Sequence, residues 1–204
     1  MPGASRPTRI GPTPRSAVRA EVLAATVRLL DAGERFTPLT VQRICDEARV
    51  ARSAFYVNFG DKTELLAQLV AAVTDDVAQV ADVWIATPET LTFDALVSAL
   101  EQATGAFARH AAVLSAYDEV AAYDDRLAGL WNDRVRQIID AFATRLEDAR
   151  LTRGLRPDLD VPIAAEFIVL GAERMLRSHS ATPGSGAELA GRLGALLWPM
   201  IAAD

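Results

Sequence analysis

The run RSAFYVN at residues 52–58 packs groups suited to molecular recognition into seven positions. Arg52 carries forked donors able to grip the two acceptors on a guanine edge, and the side chains of Ala54 and Val57 suit the methyl of thymine. Ser53, Tyr56 and Asn58 add a hydroxyl, a phenol and a carboxamide to the same stretch. A helix this short is not stable alone. It has to be held by burying Val50, Phe55 and Phe59 against its neighbours, which leaves Arg52, Ser53, Ala54, Tyr56 and Val57 facing outward.

The flanking residues supply the elements that would hold it. Thr40 can cap a preceding helix whose inward positions Val41, Ile44, Cys45 and Ala48 recur at helical spacing, and Arg49-Val50 then forms the turn. Asp61-Lys62-Thr63-Glu64 reads as a capping box opening the next helix. A longer helix over residues 16–32, with Val18, Val22, Ala25, Leu29 and Leu30 on one face and Gly33 after it, gives the pair something to pack on. Two short helices joined by a tight turn are the build of a helix-turn-helix DNA reader.

The segment ARVARSAFYVNFGDKTELL resembles the signature of the TetR family of transcriptional regulators, through Val50, Phe55-Tyr56, Phe59, Lys62 and Leu65-Leu66. It departs from that pattern twice. Arg49 stands where the family usually has glycine, which costs about 1 kcal/mol if the same left-handed backbone is required. Ala51 replaces the usual serine cap of the reader helix, a loss of up to about 1 kcal/mol. The resemblance implies an all-α fold of about nine helices, with a helix-turn-helix domain at 16–61 and an effector-binding and dimerisation domain at 62–204. It also implies phosphate contacts from Thr40, Tyr56 and Lys62, base contacts from Arg52, Ser53, Ala54 and Val57, and Asn58 in either set. A homodimer on palindromic double-stranded DNA, released by a small hydrophobic effector, is the implied partner scheme.

Charge agrees once it is counted by segment. The chain as a whole carries −6. Residues 1–62 hold ten basic side chains, including Lys62 as the only lysine, against six acidic ones, whereas residues 63–204 hold eleven against twenty-one. A basic end attached to an acidic body is suited to meeting DNA in one orientation. Residues 1–15, with four prolines, two glycines and three arginines, have the composition of a disordered arm. No apolar run is long enough for a membrane span and no signal-peptide core is present, so a cytoplasmic protein is expected. The lone Cys45 falls on an apolar helix face as a small core residue.

Beyond residue 61 the pattern is helical throughout, with helices expected at 62–85, 92–109, 112–120, 124–150, 161–179 and 186–202 and breaks at Thr87-Pro88 and at Gly154 to Pro157. Phe93, Leu96, Leu100, Ala103 and Phe107 form one stripe, and Leu127, Trp131, Val135, Ile138 and Phe142 another, both spaced for burial. The family resemblance implies an effector pocket among such helices, which makes Leu96, Leu100, Ala103, Phe107, Trp131, Val135, Ile138, Phe142 and Val169 the candidate ligand residues. Glu173 and Arg174 are candidate polar anchors or an interface ion pair. It likewise implies a dimer interface through Ile163, Phe167, Leu170, Leu193, Leu197, Trp198 and Ile201. The segments LWNDRV at 130–135 and AERMLRSH at 172–179 are most similar to the actinobacterial branch containing the ethionamide-activation repressor.

Catalysis finds no footing in this pattern. His110 and His179 are far apart without ligand-spaced partners, no phosphate-binding glycine loop is present, and no metal or cofactor is expected. The carboxylate pairs Asp75-Asp76, Asp118-Glu119 and Asp124-Asp125 read as solvated surface, since adjacent residues do not share a helix face. A helical dimeric adaptor, or a sequence-blind DNA binder without an effector, is the alternative function.

Overall fold

The computed structural model describes residues 14–86, 92–152, 155–180 and 186–202. These form an all-α fold of nine helices: α1 (Pro14–Asp31), α2 (Val41–Ala48), α3 (Arg52–Asn58), α4 (Lys62–Ala86), α5 (Phe93–Arg109), α6 (Ala111–Ala121), α7 (Asp125–Thr152), α8 (Val161–His179) and α9 (Gly186–Ile201). The only β-type pairing among the described residues is an isolated antiparallel bridge between Leu155 and Ala202. No described helix is long and apolar enough to cross a membrane. The chain divides into two compact units, residues 1–65 and 66–204.

The first unit, the head, packs α1 on α2 and α3. Val22, Ala25, Leu29, Phe36, Ile44, Cys45, Phe55, Phe59 and Leu65 fill its interior. The rings of Phe55 and Phe59 lie 5.3 Å apart. As the sequence predicts, Ala51 gives α3 no side-chain cap. Burial of two phenylalanines, worth about 1.5–3 kcal/mol each, outweighs that loss.

The turn between α2 and α3 is where the sequence departs most from easy geometry. Arg49 closes α2 in the left-handed region at φ 54° and ψ 40°, its amide bonded back to Asp46 and Cys45 carbonyls. It is the one non-glycine residue with positive φ among those described. The strain expected of an arginine at this point is therefore present. At the start of α4, the Asp61 carboxylate accepts from the Glu64 amide at 2.7 Å, while Glu64 reaches back to the amide of Gly60 at 2.8 Å. The predicted box is thus wider by one residue than its usual form.

In the second unit, the body, α5 packs on α9, α7 on α8, and α6 along α7. The α5–α9 pair approaches closely enough that a Cβ at Gly194 would come 2.6 Å from Val97 Cγ2. Helix ends fall within two residues of the predicted ones. The exception in meaning is α1, which begins at Pro14 and takes in Arg15, both predicted to be arm. Proline suits a first helical position, where its missing N–H has no partner to lose. The rest of the predicted arm, residues 1–13, the Thr87-Pro88 break and Gly154 lie outside the described residues.

Candidate functional site

Two regions carry the residues singled out by the sequence, one in each unit. On the head, Arg52, Ser53, Tyr56 and Val57 are exposed on one side of α3, and Ala54 is half-buried. Tyr56 is 48% and Val57 58% exposed, which leaves much of an aromatic and an aliphatic side chain in water. The Arg52 guanidinium donates to the Tyr56 hydroxyl at 3.3 Å and sits 5.6 Å from the ring centroid. The guanidinium is thereby propped in one orientation. Thr40 caps α2, its hydroxyl accepting from the Arg43 amide at 3.1 Å, and stays exposed.

Two of the predicted contacts have other tasks in the head. Lys62 donates to the carbonyls of Phe36, Thr37 and Leu39, each at 2.8 Å, with its ammonium 4.8 Å from the Phe36 ring. All three ammonium protons are thus directed at the loop that leads to Thr40. Asn58 donates to the Ala54 carbonyl at 2.7 Å, so its amide nitrogen is tied to its own helix. Arg15, outside the predicted site, donates to the Val57 carbonyl at 2.7 Å and fixes the end of α3 to α1.

Not every positive charge on the head is available to a polyanion. Arg28 pairs with Glu21 at 2.8 Å and Glu47 at 3.2 Å, and Arg43 with Glu34 at 2.8 Å and Glu47 at 3.4 Å. The hydrogen bond from Arg28, then that from Arg43, holds the Glu47 carboxyl below the usual carboxylate range.

In the body, all nine positions predicted for a ligand surround a single cavity of about 130 Å³. Its wall is almost wholly apolar, and it is completed by Thr74, Val77, Val80 and Ala81 of α4. The α4 contribution was missed because apolar residues run around most of that helix, which hides its inner stripe. Two stripe residues are elsewhere: Phe93 meets Trp198 edge-on at 6.5 Å, and Leu127 is buried away from the cavity. Phe107 and Tyr117 flank Trp131 at 6.0 and 5.8 Å.

The polar end of the cavity corrects the predicted Glu173–Arg174 pair. Glu173 Oε1 accepts from the Trp131 indole N–H at 3.0 Å and from Arg177, one helical turn on, at 3.3 Å, while Arg174 is exposed. Arg177 also pairs with Asp118 and lies over the rings of both Tyr117 and Trp131. Asp118 is therefore not plain solvated surface. Nor are Asp76, which pairs with Arg109 at 3.0 Å and His110 at 2.9 Å, and Asp124, which caps α7 through the Leu127 amide. The His110 and Arg109 bonds lower the acidity range of Asp76 below the ordinary carboxylate value.

The predicted dimer face divides. Ile163, Phe167 and Leu170 of α8 are 63%, 59% and 43% exposed and share one helix face. Leu193, Leu197 and Ile201 are 5% exposed or less, because α9 turns them onto α5 and the cavity; they are intrachain core and offer an interface no surface. Trp198 is half-buried against Phe93. The exposed apolar residue of α9 is Leu196, at 66%, which the sequence reading passed over.

A three-helix head that exposes α3 beyond a left-handed turn is a helix-turn-helix DNA-binding unit, the working end of a transcription regulator. Residues 22–69 match the family model described as bacterial regulatory proteins, tetR family, which covers α2, α3, most of α1 and the start of α4. Among solved structures, a tetR-family bacterial regulatory protein from Rhodococcus RHA1 is similar at 19% identity, covering 93% of this chain and 100% of its own, with a TM-score of 0.71. Salmonella enterica GusR is 21% identical over 93% of this chain and 97% of its own, with a TM-score of 0.67. The ketosteroid transcriptional regulator KstR2 of Mycobacterium tuberculosis is 21% identical over 91% and 95%, with a TM-score of 0.59. No protein of curated function matches the chain significantly. The family match ends before the segments at 130–135 and 172–179 that resemble the ethionamide branch, and does not extend to that finer resemblance.

Proposed function

We propose that the protein is a dimeric repressor that holds a palindromic operator through its head and lets go when its body takes up a small apolar effector. The observation that carries this reading is the apolar cavity, walled in part by α4, a helix whose first turn belongs to the head. An occupant that displaces α4 acts on the helix that begins at the Lys62 clamp. In a dimer this changes the spacing of two reader helices relative to successive major grooves. Arg52, Ser53, Ala54 and Val57 read bases in this scheme, with Thr40 and Tyr56 on phosphates and Lys62 holding the loop behind Thr40. Ile163, Phe167, Leu170 and Leu196 supply the dimer surface, since one monomer covers too little of an operator to hold it alone. The likeness in fold to a ketosteroid regulator supports an apolar effector. The protein works in the cytoplasm, where its operator lies.

Retention of sheared genomic fragments on the purified protein at about 150 mM salt tests the reading. Recovery of one palindromic site is expected, with Tyr56→Ala abolishing retention and Trp131→Ala leaving it intact while altering release by apolar molecules. Sequence-blind retention, or equal damage to both properties by both substitutions, sinks it in favour of a general DNA binder or a helical adaptor.

A further inference from the structure

The cavity wall contains one carboxylate, Glu173, and one guanidinium, Arg134; its other side chains are uncharged. Both charges are answered by residues outside the wall. Arg134 donates to Asp82 at 3.1 Å and to Gln137 at 3.0 Å. Glu173 is answered by Arg177, which does not line the cavity and reaches the carboxylate from behind.

Arg177 is held unusually firmly for a surface-length side chain. Its guanidinium lies 4.7 Å from the Tyr117 ring centroid and 5.0 Å from that of Trp131, and its side chain is only 11% exposed. Asp118, its second partner, is 60% exposed, so water screens that charge. What a molecule in the cavity meets is therefore a neutralised carboxylate beside Phe107, Trp131 and Phe142. Without Arg177 the same wall would be an unpaired carboxylate among aromatic faces, which is the chemistry that binds organic cations.

We propose that Arg177 sets the charge selectivity of the cavity: by neutralising Glu173 from outside the wall, it makes the site accept uncharged apolar ligands and refuse organic ammonium ions. This rests on the reading of the cavity as the effector site. A charged ligand entering the wild-type cavity loses its water and finds no unpaired counter-charge.

Dissociation constants of the full chain for 1-hexanol, hexylammonium and hexanoate, measured by calorimetry, test the assignment. In the wild type, hexanol should bind at least about tenfold tighter than either ion. Arg177→Met should raise hexylammonium relative to hexanol by at least about tenfold, and Arg177→Lys should keep the wild-type order. Glu173→Gln, which keeps an acceptor for the Trp131 N–H, should shift the ratio of hexanoate to hexylammonium in the opposite direction and decides the matter if Arg177→Met does not fold. An unchanged ratio of hexylammonium to hexanol affinity in Arg177→Met, or of hexanoate to hexylammonium affinity in Glu173→Gln, overturns the assignment, as does a wild type that binds hexylammonium as well as hexanol. If the wild type binds none of the three, the effector reading of the cavity falls and this assignment with it.

Discussion

The head buries Phe36, Phe55 and Phe59 almost completely among its helices, whereas in the body apolar stripes of five helices meet around a void. Both units are built from amphipathic helices of ordinary composition. The difference is one of surplus. A small unit whose reader helix has seven residues needs every buried ring to hold that helix in place. The longer helices of the body have apolar surface to spare, and the space they leave open is where a ligand can be accommodated at little cost to the fold.

Substitutions placed in matched positions can break or sharpen this contrast. Truncating the head's central ring, Phe55→Ala, should cost about 3–5 kcal/mol, read from urea unfolding of the full chain, and should abolish DNA retention. A loss below about 1 kcal/mol would mean that the head is less tightly filled than its burial indicates. Enlarging an alanine to leucine should separate the two units. Ala25→Leu, fully buried in the head, should destabilise by about 1–3 kcal/mol. Ala103→Leu, directed at the cavity, should leave stability unchanged or raise it by about 1 kcal/mol. Equal costs at the two sites would remove the distinction between filled and hollow cores. The smallest effects belong to the departures at the reader turn: Arg49→Gly and Ala51→Ser should each stabilise the head by up to about 1 kcal/mol, seen as a higher urea midpoint.

The sequence made some of this architecture legible and concealed the rest for identifiable reasons. Helix ends were readable because Thr40 and Asp160 cap through their side chains and Gly33 takes a positive φ. The walls that α5, α7 and α8 give to the cavity were readable as stripes at helical spacing. Which positions of α9 are exposed was misread, because Leu193, Leu196 and Leu197 point in different directions and composition alone does not say which meets water. The partner of Glu173 was misread although a signal existed: residues four apart share a helix face and adjacent ones do not, which favours Arg177 over Arg174. The role of Lys62 was beyond reach, because its three carbonyl partners lie more than twenty residues away along the chain.

The chain's one cysteine, Cys45, is fully enclosed in the head, and burial, with Asp46 beside it, pushes the thiol above its usual range. A thiol-directed dye can reach it only in the moments when the head comes apart. Because the body contributes no sulfhydryl, the labelling rate is a clock for head opening alone, and running it with and without DNA would time how long the bound reader stays closed.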